Sequence, residues 1–126
     1  MDLTNKSILL CDDSILARKR LRDAINEFTD GATFYEAANG EQSVELYGEH
    51  HPDMVLLDIV MPVKDGIDAT REILAIDPHA TVIIVSSVGT QMQLKKAIEA
   101  GAKDFIQKPI EMDQLRTLIQ THLGGQ

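Results

Sequence analysis

The sequence predicts an α/β domain built on a doubly wound parallel sheet with helices on both faces. Three observations predict it. Five apolar runs of strand length alternate with five segments of helical period. Three of the runs are almost continuously apolar, as strands covered on both faces are. Charged residues stand where runs stop: Asp12-Asp13 after the first, Asp58 after the third, Lys108-Pro109 after the fifth.

The elements follow in order. Ser7–Cys11 is the first strand, and Ser14–Phe28 places Ala17, Leu21, Ala24, Ile25 and Phe28 on one helical face. Thr33–Ala37 is the second strand. Asn39, a favoured capping residue, opens a short helix running to about Glu49. Met54–Leu57 is the third strand, and the helix Ile67–Ile76 stops before Asp77-Pro78, since the residue preceding proline avoids helical angles. After the strand Thr81–Val85, Met92–Ala100 carries Leu94, Ala97 and Ile98 inward and ends at Gly101 as a C′ glycine. Asp104–Gln107 is the last strand, and Met112–Leu123 turns Leu115, Leu118 and Ile119 inward. Gly124-Gly125-Gln126 reads as a frayed tail or the start of a linker. Repeated βα units imply right-handed crossovers, and such sheets bind ligands at the carboxyl ends of their strands, where strand order reverses.

A chain of 126 residues suits one domain with a real core, so 1–126 is read as a single domain. A net charge of −8 argues against a bare nucleic-acid surface, which needs clustered Lys and Arg. The single cysteine, Cys11, cannot form an internal disulfide and reads as a small buried residue. No apolar stretch reaches membrane-span length, and no apolar segment follows a basic one at the start as in a signal peptide. These features place the chain in a reducing cytoplasm.

On that sheet, Asp12, Asp13, Asp58 and Lys108 converge on one edge. Taken singly, an Asp-Asp pair after a strand is as readily a turn and helix cap. Taken together, three crowded carboxylates repel unless neutralised. Mg²⁺ together with Lys108 would neutralise them, which suggests a site built to receive a phosphoryl group: Mg²⁺ takes oxygen ligands and uses one or two carboxylates beside substrate phosphate. A carboxylate can also act as nucleophile and become an aspartyl phosphate, with Lys108 supplying charge to the phosphoryl oxygens. Ser86 or Ser87, at the end of the fourth run, could hydrogen-bond such an oxygen, or either could be an ordinary polar strand end.

From about Ser7 to Leu123 the chain resembles the receiver domain of bacterial two-component response regulators, especially the single-domain, CheY-like chemotaxis type. The landmarks stand in order: Asp12-Asp13-Ser14, Asp58-Ile59-Val60-Met61-Pro62 with Asp65-Gly66, Ser86, and Lys108-Pro109. The resemblance implies a flavodoxin-like sheet of strand order 2-1-3-4-5. It implies Asp58 as phosphoacceptor, and Mg²⁺ held by Asp13, Asp58 and the backbone carbonyl of Val60, with Asp12 acting mostly through water. It further implies Ser86, rather than Ser87, as the switch hydroxyl, because Ser86 precedes Lys108 by twenty-two positions. Phe105 falls at the aromatic switch position, and Lys108–Pro109 at the usual cis peptide. The donor would be a sensor histidine kinase or a histidine phosphotransfer protein. The output would be a protein target on the face made by the fourth helix, fifth strand and fifth helix. The only chemistry implied is self-phosphorylation and autodephosphorylation. Val60 and Val88 depart from the pattern, standing where many relatives carry polar residues.

Other readings are weaker. A haloacid dehalogenase-type phosphatase needs a second Asp two residues after the nucleophile, where this chain has Val60. An FMN module needs a Ser/Thr/Gly-rich phosphate loop where Asp12-Asp13 stands. A receiver cut from a longer regulator stays open. His50 and His51 are adjacent in a polar loop and rarely could converge on a metal, while His79 and His122 read as surface residues. Arg18, Lys19, Arg20 and Arg22 make the first helix basic, which is either a solvated face or a docking surface for an acidic partner.

Overall fold

Five strands pair in parallel in the order β2-β1-β3-β4-β5: β1 (Ser7–Cys11), β2 (Thr33–Ala37), β3 (Met54–Asp58), β4 (Val82–Ser86) and β5 (Asp104–Gln107). The helices between them are α1 (Ile15–Asn26), α2 (Gly40–His50), α3 (Gly66–Ile76), α4 (Gln91–Glu99) and α5 (Met112–Leu123). This computed structural model describes residues 1–87 and 91–124. Val88, the Gly89 turn and the tail residues Gly125 and Gln126 lie outside the described residues.

Strand side chains alternate between faces, so β1 to β4 each feed two cores, while β5 gives Ile106 to one of them. Leu9, Val55, Leu57, Val82 and Ile84 pack with Tyr47 of α2, Ile73 of α3 and Ala97 of α4. Ile8, Leu10, Met54, Leu56, Ile83, Val85 and Ile106 pack on the other face with Ile25 of α1 and Leu115, Leu118 and Ile119 of α5. Burial on both faces explains why β1, β3 and β4 read as unbroken apolar runs.

Capping sets the helix starts. Ser14, Asn39 and Asp65 each accept a backbone N–H from three residues on and open α1, α2 and α3. Gly101 ends α4 with a φ of +116°, the left-handed geometry a C′ glycine supplies.

Several boundaries and one orientation differ from the sequence expectation, and α3 and α4 each start one residue earlier than expected. Asp58 belongs to β3 because it still pairs with Val85, and β4 is shifted one residue onward to include Ser86, which pairs with Gln107. The first helix is shorter, with Ser14 as its cap rather than its first residue. Ile98, expected inward on α4, is 43% exposed. Ala97 takes the inward place, and Ile98 instead lines an open cavity with Phe105 at the sheet edge.

Candidate functional site

Register brings the site together. Cys11 pairs with Leu57 and Asp58 with Val85, so the residue after Cys11 arrives level with Asp58 at the carboxyl end of the sheet. That residue is Asp12. Both carboxylates are mostly buried, Asp12 at 9% and Asp58 at 8% exposure. Lys108, one residue past β5, reaches over with its ammonium, 3.0 Å from Asp12 Oδ2 and 3.1 Å from Asp58 Oδ2. The Lys108–Pro109 peptide is cis, as expected. Lys108 N–H donates to the Ser86 carbonyl at 2.7 Å, which ties the lysine to the end of β4.

The two carboxylates are not equivalent. Asp12 Oδ1 accepts from Ser14 N–H at 2.9 Å, while Asp58 Oδ1 accepts from Val60 N–H at the longer distance of 3.3 Å. Burial works to raise both. For Asp12 the Ser14 N–H and the Lys108 ammonium outweigh burial, and its carboxyl lies below the ordinary range. For Asp58 burial dominates, the Asp12 charge adds to it, and the carboxyl is raised despite Lys108. The ammonium is held charged above its usual range: burial opposes this, but the two carboxylates win. Of the two, Asp58 is therefore the carboxylate whose negative charge is less compensated by the protein. Beside it, burial pushes the Cys11 thiol up to about 12, so the thiol is inert at neutral pH.

The loop after β3 shapes the mouth. Gly66 N–H donates to the Ile59 carbonyl at 2.8 Å, and a Cβ on Gly66 would stand 2.2 Å from the Asp58 carbonyl oxygen. Glycine alone fits there. Val63 takes a φ of +69°, unusual for a β-branched residue, and Lys64 N–H closes back on the Pro62 carbonyl at 2.7 Å. Val60 and Val63 project outward, 63% and 76% exposed.

Of the residues singled out from sequence, Asp12, Asp58, Lys108 and Ser86 meet at this edge, and Ser86 is 3% exposed at the end of β4. Asp13 is exposed beside Asp12. Phe105 points out at the sheet edge, 40% exposed, beside a cavity of about 570 Å³ bounded by Ser86, Leu94 and Ile98. Sequence reasoning named Arg18 only as part of the basic first helix, without its link to Asp12, and missed Glu36. Arg18 Nε donates to Glu36 Oε1 at 2.9 Å and Arg18 Nη1 to the Asp12 carbonyl at 2.6 Å. The available signal was Glu36 itself, a lone carboxylate near the end of an apolar strand.

The donor set suits a hard cation. Asp12, Asp13 and Asp58 offer three carboxylates against the one ammonium of Lys108. Among the described residues, no three His, Cys, Asp or Glu side chains are grouped so that together they could hold a metal ion. Mg²⁺ keeps several waters and needs only one or two carboxylates.

A profile of the response regulator receiver domain matches residues 8–120. The chain is 45% identical over 106 residues to the chemotaxis protein CheY of Halobacterium salinarum, covering 84% of this chain and 87% of that protein. It is 45% identical over 119 residues to the CheY of Bacillus subtilis, covering 93% and 97%. Among solved structures it resembles the CheX-CheY-BeF3-Mg+2 complex from Borrelia burgdorferi, with a TM-score of 0.84 and 33% identity over 92% of this chain and 87% of that one. Five βα units in the order 2-1-3-4-5 thus have their counterpart among known structures, and the chain belongs to the response regulator receiver domain family.

Proposed function

We propose that Asp58 is the phosphoacceptor of this domain and that Lys108, Ser86 and Phe105 convert its phosphorylation into a change of surface. Membership of the family makes the chain a phosphorylation-activated switch of a two-component phosphorelay, a signalling protein and not a classical enzyme. Its partners are of two kinds, a kinase or phosphotransfer protein upstream and a protein target downstream.

One observation carries the reading: a single ammonium, Lys108 Nζ, bridges two mostly buried carboxylates at the strand ends, and Asp58 is the one left under-compensated. A carboxylate oxygen of Asp58 attacks phosphorus, and the bond from phosphorus to the donor's imidazole nitrogen breaks. The imidazole leaves with the electron pair and takes up a proton. Receiver domains generally bind Mg²⁺ at this acidic pocket. Here Asp13, Asp58 and the Val60 carbonyl would hold it, with Asp12 acting through water, and it would offset carboxylate charge and screen the incoming phosphate. Lys108 is already in place to follow the new charge from carboxylate to phosphoryl oxygen.

The phosphoryl group adds charge and acceptor oxygens at the end of β3. The Ser86 hydroxyl moves toward it and vacates space beside the cavity that Phe105 borders. Phe105 then turns inward, and the face of α4, β5 and α5 changes for its target. Such a ligand biases two pre-existing states. Among the described residues no helix is long and apolar enough to cross a membrane, which supports a cytoplasmic site of action for a single receiver unit. The net charge of −8 argues against direct nucleic-acid binding.

Acetyl phosphate tests the reading. Labelling is expected with Mg²⁺, absent with excess EDTA, and absent in Asp58→Asn with the fold intact. Full labelling in EDTA, or labelling of Asp58→Asn at the wild-type level, refutes it.

A further inference from the structure

We propose that Arg18 is a positioning residue for the acidic site: its guanidinium fixes the Asp12 carbonyl, and with it the Asp12–Asp13 peptide, in the orientation that Mg²⁺ binding requires. The proposal rests on the acidic edge being the Mg²⁺ site.

The basic face of α1 is not uniform. Arg18 is 12% exposed at its side chain, against 68% for Lys19 and 42% for Arg22. A guanidinium sheltered to that degree needs partners, and Arg18 has two in different directions. Nε meets Glu36 Oε1 at 2.9 Å, and Nη1 meets the Asp12 carbonyl at 2.6 Å. Arg22 pairs with the second oxygen of Glu36 and lies over the Phe34 ring, but only Arg18 of these two reaches Asp12. Glu36 thus acts as a bracket on β2, and Arg18 extends from it to the site.

Residue 12 is gripped on every side. Its N–H donates to the Ala37 carbonyl at 3.1 Å. Its Oδ1 takes Ser14 N–H at 2.9 Å, and its Oδ2 takes Lys108 at 3.0 Å. The carbonyl is the remaining polar atom, and Arg18 holds it. The carbonyl matters because it lies in the peptide plane that leads into Asp13. Letting that plane rotate carries the Asp13 amide with it, since the peptide is rigid, and frees the flanking φ of Asp13 on which the aim of its side chain depends.

A simple tie between α1 and β2 would be complete with Arg18, Arg22 and Glu36 alone. The added 2.6 Å bond to the carbonyl beside the carboxylate pair is what a tie does not need. Lysine cannot reproduce it. Its ammonium is a point charge on a flexible stem, while the planar guanidinium presents donors in two fixed directions.

The test uses the full chain and Mg²⁺ alone, with the dissociation constant read by calorimetry and the amide shifts of residues 12 and 13 followed through the titration. Arg18→Ala and Arg18→Lys are expected to weaken Mg²⁺ binding about 10- to 100-fold, the usual cost of losing a group that orients a ligand, while Arg22→Ala stays within about two-fold of wild type. Arg22→Ala is the decisive control, because it removes the other Glu36 partner and leaves the Asp12 carbonyl held. Should Arg18→Ala unfold, Arg18→Lys decides. Wild-type affinity in Arg18→Lys overturns the proposal, and so does an equal loss in Arg22→Ala, which would mark the network as a structural tie. If wild type shows no Mg²⁺ response at residues 12 and 13, the acidic edge is not the metal site and both readings fall. If wild type responds and Arg18→Lys responds equally, only the role of Arg18 falls.

Discussion

Replacing Asp58 with Asn should stabilise the metal-free domain. Asp12 and Asp58 each touch the Lys108 ammonium, so the two contacting oxygens stand no more than about 6 Å apart. At an effective dielectric constant of ~20, unit charges at that distance repel by about 3 kcal/mol, while Asp58 and Lys108 in contact attract by about 5 kcal/mol. Charge alone would favour ionised Asp58. Burial is the larger influence and reverses the balance, which is why its carboxyl is raised above the ordinary 3.8. A neutral isostere removes the buried charge and leaves Lys108 paired with Asp12. The expected gain is about 1 kcal/mol, small because a favourable contact is lost with the buried charge, and positive because Lys108 keeps Asp12 and no ion is left unpaired. In a domain of this size that raises Tm by about 4 °C. The sign with pH follows from the raised carboxyl. Wild type binds a proton on folding between the unfolded and folded titrations, so it gains stability as pH falls through the folded range and holds all of that gain below about 3.8. The advantage of Asp58→Asn is therefore present near neutrality and closes in acid. Mg²⁺ reverses the order, since wild type at a hundred-fold excess over Kd gains about 2.7 kcal/mol. Thermal unfolding in EDTA and in Mg²⁺, at neutral and acid pH, measures all of this. An Asp58→Asn protein less stable than wild type in EDTA near neutrality would show that Lys108 compensates Asp58 fully, and the reasoning fails.

Three further outcomes are expected. Ser86→Ala accepts phosphate but weakens the response around Phe105, read from chemical shifts of Phe105 and α4 with a beryllofluoride mimic; a larger effect from Ser87→Ala would contradict it. A useful switch of this kind biases its states by a few kcal/mol, since moving from 1:99 to 99:1 takes about 5.5 kcal/mol. Val60→Asn speeds the loss of phosphate a few-fold, because valine at the mouth cannot orient the attacking water and an amide can; an unchanged decay rate sinks that idea. Gly66→Ala costs about 3 kcal/mol in denaturant unfolding, as its Cβ would stand 2.2 Å from the Asp58 carbonyl oxygen and the β3–α3 turn must shift.

Much of this was legible in the residues because two-sided burial leaves a simple trace. Unbroken apolar runs located β1, β3 and β4, and caps at Asn39 and Gly101 set helix ends through local chemistry alone. Boundaries slipped by one where pairing, not composition, decides: Asp58 and Ser86 are polar yet still pair with Val85 and Gln107. Asp12 and Asp13 look alike as letters. Only strand register brings Asp12 level with Asp58 and turns it inward, leaving Asp13 exposed. Arg18 was hidden for the same reason. A basic residue on a basic helix reads as solvated until the fold brings Glu36, eighteen positions on, against it. Ile98 shows the converse, an apolar residue at a good period that faces out because Ala97 fills the inward place.

The sheet that separates the two cores also partitions what substitution can do. Side chains packed under α1 and α5 share no cluster with those under α2, α3 and α4. Losses of volume on opposite sides should therefore sum rather than compound, as expected of distant sites without common partners. One side can be recoded for a new partner while the other keeps its packing unchanged. The residues exempt from that freedom are those on the rim where both layers end, Asp12, Asp58, Ser86 and Lys108, which answer to both halves at once.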